Sequence, residues 1–155
     1  MDADKRAQAI GSAAGWLMFI AGCTAVNGAM QLFHSDWGLA LGAEVLYIVT
    51  GLAKGIGGIT ESIITVVTTA FLAGFYFVLF KFSTTGKAWP FFVAIAFYGL
   101  DTVISLFAQS WIGIAVHCWA LFSLAMGVKA VLSKPVFAPI PENGGAPEAP
   151  PAETI

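Results

Sequence analysis

Four side chains able to hold or move a proton interrupt otherwise apolar sequence: Asn27, Glu44, Asp101 and His117. An ionised carboxylate in hydrocarbon is costly unless it is neutralised, paired or hydrated, so Glu44 and Asp101 each require a partner. Asp101 with His117 is the chemically richer pair. Imidazole can carry a proton that a carboxylate stabilises, which is the arrangement of a proton relay. The plainer reading makes all four residues interhelical glue, each contact contributing about 1 kcal/mol and fixing register. Their spacing predicts two pairs. Asn27 and Glu44 lie roughly eight residues on either side of one polar turn, and Asp101 and His117 straddle a second turn likewise. A rise of about 1.5 Å per residue sets each group about 12 Å from its turn, near mid-bilayer.

Little else in the chain suggests chemistry. His34 falls in a turn and His117 in an apolar run, so they do not form a bis-histidine haem site, and one His with one Asp is too few ligands for zinc. Ser105 and Ser123 are available hydroxyls, but such groups in apolar helices commonly bond back to the helix carbonyls. No nucleophile–base constellation and no Gly-rich phosphate loop is present, so no enzyme activity, cofactor or metal is expected. Cys23 and Cys118 lack the close spacing of a redox or zinc motif and read as small core residues. Ile20-Ala21-Gly22-Cys23 fits a lipobox after Lys5-Arg6, yet Thr24 to Phe33 stays mostly apolar where a lipoprotein would turn polar.

The elements that must position these residues are long apolar stretches. Of the 155 residues 58% are hydrophobic and 10% charged, which places the chain outside the soluble range. The expectation is an all-α integral membrane bundle of five transmembrane helices. The spans run from Gly15 to Phe33, Trp37 to about Lys54, Glu61 to Phe80, Trp89 to about Ala108 and Trp111 to about Leu132. Gly55-Ile56-Gly57-Gly58 breaks the second from the third, for which Thr60 is a candidate cap. Residues 1–10 read as a short polar terminus, 11–134 as the membrane domain, and 135–155 as a disordered Pro/Ala/Glu-rich tail. Trp16, Trp37, Trp89 and Trp111 fall near expected span ends, where indole prefers the headgroup level.

An offset of 74 residues superposes Asn27 on Asp101, Leu32-Phe33 on Leu106-Phe107 and Trp37 on Trp111, which suggests two related hairpins flanking a central span. With one span between them the second copy would be inverted, as in many transporters. Both hairpin turns, near Ser35 and Gln109, would then lie on opposite faces. Five spans also divide the cations as Lys5, Arg6 and Lys54 against Lys81, Lys87, Lys129 and Lys134, a margin of one that leans towards an external N-terminus. Spacings such as Gly11-Gly15, Gly38-Gly42 and Gly51-Gly55 permit close helix approach.

The segments Gly15-Trp16-Leu17-Met18-Phe19-Ile20-Ala21-Gly22, Val26-Asn27, Phe97-Tyr98-Gly99-Leu100-Asp101, Ser110-Trp111-Ile112-Gly113 and His117-Cys118-Trp119-Ala120-Leu121-Phe122 carry a resemblance. The chain resembles a family of small uncharacterised bacterial multi-span membrane proteins over most of 15–129. The resemblance implies a membrane protein in which Asp101 and His117 belong to a shared pattern, and it implies no activity.

The expected function is that of a non-enzymatic accessory or scaffold subunit in a bacterial cytoplasmic membrane. Its expected partners are the lipid bilayer and either another membrane protein or further copies of the chain. The alternative is a small proton-coupled transporter using Glu44, Asp101 and His117. A net charge of −2 with no clustered basic face excludes nucleic acid as a partner. Because the tail has no apolar periodicity with which to dock, truncation after Lys134 should leave the thermal melting of the purified protein unchanged; a large drop would show that it packs on the helices.

Overall fold

The computed structural model describes residues 1–34, 39, 42–107 and 110–133. Five α-helices account for nearly all of them: α1 (Ala3–Leu32), α2 (Glu44–Lys54), α3 (Gly58–Ser83), α4 (Trp89–Phe107) and α5 (Trp111–Leu132). Four of these, α1, α3, α4 and α5, are long and apolar enough to cross a membrane. The second expected span is not among them. Its helical part is 11 residues long, about 16 Å. The expected tail and the turn residues Ser35, Trp37 and Gln109 lie outside the described residues.

The four long helices alternate in direction around a ring. Arg6 on α1 donates from Nε to the carbonyl of Ala130 at 2.9 Å and from Nη2 to that of Val131 at 3.1 Å, so the start of α1 lies beside the end of α5. These are carbonyls that the last turn of a helix leaves without an intrahelical partner. At the other end of α1, His34 lies 3.8 Å from Glu61 in the first turn of α3. Gly28 faces Thr69 so closely that a Cβ there would fall inside the threonine side chain. Gly127 of α5 meets Ala13 of α1 and Phe91 of α4 in the same manner. One end of the bundle, here the terminal face, thus collects the start of α1, the end of α3, the start of α4 and the end of α5. The other end, the hairpin face, collects the remaining four helix ends.

Residues 3–10, expected to be a short polar terminus, instead form the first two turns of α1. Asp2 caps the helix by accepting the Lys5 amide at 3.0 Å, and Asp4 suits the positive end of the dipole. Trp16 therefore sits about 20 Å along α1 rather than at a helix end. Trp89 and Trp111 do open helices, and Cys118 is exposed rather than in the core.

α2 is wedged between α3 and α4 in the hairpin-face half of the ring. Val45 shares a cavity with Leu72 and Asp101, so α2 starts deep in the bundle and runs back outward along the first half of α3. Gly57 and Gly58 have φ of 71° and 66°, a left-handed turn that lets α3 begin beside the end of α2. No side chain caps α3, whose N-cap is Gly57 rather than Thr60. The two segments related by the 74-residue offset differ in their second helices: 90–129 holds parts of α4 and the 22-residue α5, whereas 15–54 holds part of α1 and the 11-residue α2.

The apolar part of the interior includes Leu17, Ile20, Phe91, Ala94, Tyr98 and Leu124, all fully buried. The outside is apolar as well, with Phe71, Leu100, Trp119 and Phe122 each more than 60% exposed, a surface that suits lipid better than water. With four long helices instead of five, the turns after α1 and before α5 share one face. Single cysteines placed at His34 and Ser110 should react with an impermeant maleimide from the same side of sealed vesicles, and one at Thr85 from the other. Labelling of His34 and Ser110 from opposite sides would contradict this topology.

Candidate functional site

The half-helix creates a local difficulty that the site resolves. A helix starting inside an apolar bundle presents free backbone N–H groups where no bulk water can satisfy them. Here the acceptors come from neighbouring helices. Asp101 of α4 takes the Glu44 N–H on Oδ2 at 2.8 Å and the Val45 N–H on Oδ1 at 3.0 Å. Thr24 of α1 accepts the Ala43 N–H at 3.1 Å. One turn along α1, Asn27 pairs with both backbone groups of Leu39: its Oδ1 accepts from N–H at 2.7 Å and its Nδ2 donates to C=O at 3.0 Å. Asp101 thus serves as a helix cap supplied from another helix, its negative charge set against the positive end of the α2 dipole.

Behind the cap stands His117. Its Nε2 lies 3.0 Å from Asp101 Oδ2 and its Nδ1 lies 2.7 Å from the carbonyl oxygen of Gly113, one turn earlier on α5. A carbonyl only accepts, so Nδ1 carries a hydrogen. The contact between Nε2 and Oδ2 then needs a second proton, borne as imidazolium beside carboxylate or as neutral imidazole beside carboxylic acid. In both forms the pair is electrically neutral overall, which is what burial in a low-dielectric interior favours. His117 is completely buried and Asp101 is 3% exposed. The ring of Tyr98, one turn before Asp101, stacks on the imidazole at 4.4 Å with 12° between planes and fixes its orientation.

Glu44 completes the cluster from α2. Its carboxylate is half-buried and lies within electrostatic reach of Asp101 and His117, beside the Ser105 hydroxyl. Gly113 lies close by: a Cβ there would crowd Ser110 Oγ at 2.6 Å and stand in ordinary contact with Glu44 Oε1 at 3.5 Å. The grouping therefore differs from two separate pairs. Asp101 and His117 touch, Glu44 lies within electrostatic reach of both, and Asn27 bonds the backbone of Leu39. Counted from Phe107 and Trp111, Asp101 and His117 lie six residues in, about 9 Å along their own helices.

Sequence reasoning missed Thr24, Gly42, Tyr98 and Gly113. Thr24 lies three residues before Asn27, and Tyr98 three before Asp101, spacings that put each pair on one helix face. Among the described residues no set of three or more His, Cys, Asp or Glu side chains has the geometry to hold a metal ion. Compared with family models, curated proteins and solved structures, the chain matches none.

Gly42 is the backbone position on which the entry to α2 turns. Its φ is 146°, a region open to glycine, and a Cβ would stand 2.6 Å from Asn27 Nδ2. Gly42→Ala should therefore destabilise the protein by about 1–3 kcal/mol through strain and displacement of Asn27. Gly51→Ala meets nothing within 4 Å and serves as the control, with little change or a slight gain. Equal melting temperatures for the two variants would contradict this role of Gly42.

Proposed function

We propose that the chain is an integral membrane protein inserted through α1, α3, α4 and α5, with α2 a re-entrant half-helix, and that it acts as a small proton-coupled carrier. The carrying observation is the convergence of Glu44, Asp101 and His117 at the inner end of a helix that goes only part of the way through the bundle. Broken helices with ionisable partners at their ends are how transporters build sites inside a bilayer. Towards the terminal face the cluster is closed off by Leu17, Ile20, Phe91, Ala94 and Leu124, all buried. Towards the hairpin face, among the described residues, stands α2. A carrier requires a site that opens to one face at a time, and α2 is the element whose movement would change its access.

Orientation follows from the same arrangement. Lys5, Arg6, Lys81, Lys87 and Lys129 belong to helix ends at the terminal face and Lys54 to the hairpin face. An excess of cations marks the cytoplasmic side, so the terminal face is cytoplasmic and the half-helix opens to the exterior. This reverses the N-terminal orientation that a five-span reading favours. A bacterial cytoplasmic membrane suits the resemblance described above.

A second reading keeps the protein as an accessory or scaffold subunit without catalysis or transport. It is favoured by the hydrogen bonds on both oxygens of Asp101, which make the residue a structural cap in the state described. The two readings separate experimentally. In a background with Cys23 and Cys118 replaced by serine, a cysteine at Ala94 should be shielded from an impermeant thiol reagent at the terminal face while the Asp101–His117 pair holds its proton. It should become reactive from that face when the pair is deprotonated at alkaline pH. Protection at every pH, together with a stoichiometric membrane partner in mild detergent, would favour the subunit and contradict the carrier.

A further inference from the structure

A cavity of about 220 Å³ lies directly beside the cap, between α2, α3 and α4. Its walls include Val45, Phe71, Phe75, Tyr76 and Phe97, and Asp101 contributes to the lining. Phe75 packs against Phe97 with centroids 4.9 Å apart and against Tyr76 at 5.3 Å, so the aromatic faces form a continuous wall. Phe71 and Phe97 are 71% and 55% exposed on the outer surface of the bundle, which places the mouth of the cavity towards lipid. Asp101 Oδ2 engages both the Glu44 N–H and His117 Nε2, but Oδ1 takes one hydrogen bond, from Val45, and retains a lone pair. Val45 lines the same cavity.

We propose that this cavity binds a small lipophilic amine or quaternary ammonium, with its apolar body against the aromatic wall and its cationic head at Asp101 Oδ1. Aromatic faces and a carboxylate both attract a cation, and neither offers such an attraction to a neutral hydrocarbon. The proposal rests on the carrier reading and names its substrate class. Charge balance links the two. With the shared proton present the Asp101–His117 pair is neutral, and an added cation would leave an uncompensated charge in the interior. Binding therefore removes the proton held between Nε2 and Oδ2 and releases it to water at the hairpin face. His117 remains as neutral imidazole, still donating from Nδ1 to Gly113, and the ionised carboxylate faces the ammonium. The titratable groups around the pair are Glu44 from α2, Tyr98 from α4 and Tyr76 from α3; the side chains that α1 presents are Cys23, Thr24 and Asn27. Glu44 is the only carboxylate among them, and it adds to the attraction for a cation.

The test is calorimetric titration of the full chain in nanodiscs with benzyltrimethylammonium and, separately, with its neutral isostere neopentylbenzene. The measurement is repeated in buffers of different ionisation enthalpy so that protons are counted. The charged probe should bind saturably, at least tenfold more tightly than the isostere, with release of about one proton per site. Leu100→Trp, which fills the cavity without touching the carboxylate, should abolish binding while His117 keeps its hydrogen bonds, as read by imidazole ¹⁵N shifts. Phe97→Leu should weaken binding several-fold. Equal binding of the two probes would identify an apolar hole for lipid chains and overturn the proposal, as would the absence of saturable binding at millimolar concentration. If His117 shows an exchangeable second proton and the ammonium still fails to bind, the ligand class falls and the carrier reading stands. If no such proton is found, both fall.

Discussion

A carboxylate on α4 that accepts the first two amides of α2 is the interaction on which the architecture depends. Without an acceptor, a helix beginning inside an apolar bundle leaves unsatisfied N–H groups, each costing about 1–3 kcal/mol, and the chain would either continue its helix or withdraw. Asp101 removes that cost and brings a charge, which in turn requires His117. His117 requires the carbonyl of Gly113 and the flat face of Tyr98 to hold its ring. Glu44 is carried into the group because it is the first residue of the helix being capped. The cluster is thus one connected solution to a backbone problem, extending from α1 to α5.

That solution also divides the molecule in two. The half nearer the terminal face is a close-packed four-helix ring in which Gly127 brings α1, α4 and α5 into contact. The half nearer the hairpin face admits α2, and α3 and α4 part around it. Polar side chains that bond across elements concentrate there: Thr24, Asn27, Asp101 and His117, with Glu44 beside them. The aromatic cavity lies at the junction of the two halves, so anything that enters it meets both the cap and the wedge. A change at Asp101 would be felt by the half-helix, and a movement of the half-helix would be felt at Asp101, which is the coupling a carrier needs.

Much of this was legible in the sequence, and the failures have physical causes. Apolar length located α3, α4 and α5 within a few residues, because their patterns are long and their ends carry glycine, tryptophan or polar residues. The second span failed because hydropathy reports only that a segment is apolar. The sequence just before α2 is apolar, yet Gly42 has a φ that glycine favours and Asn27 and Thr24 bind the amides of Leu39 and Ala43, so tertiary partners override composition. Losing that span reversed the relative placement of the two hairpin turns and changed the division of cations from nearly even to strongly one-sided. Asp101 and His117 were visible as costly residues in an apolar setting, and their separation across a short turn placed them on adjacent helices. That Asp101 would serve backbone as well as imidazole was not visible, since nothing in local sequence marks a carboxylate as a cap for a helix 57 residues away.

Amide hydrogen exchange at Glu44 and Val45, measured by NMR in nanodiscs for the parent chain and for Asp101→Asn, tests the central claim most directly. An amide side chain offers one accepting oxygen where the carboxylate offers two. In the parent protein both amides should exchange as slowly as those in the middle of α4. In Asp101→Asn at least one should exchange at least tenfold faster while α1 and α5 keep their protection. Rapid exchange of both amides in the parent protein would contradict the account, because the half-helix would then begin in water and Asp101 would not be what holds it.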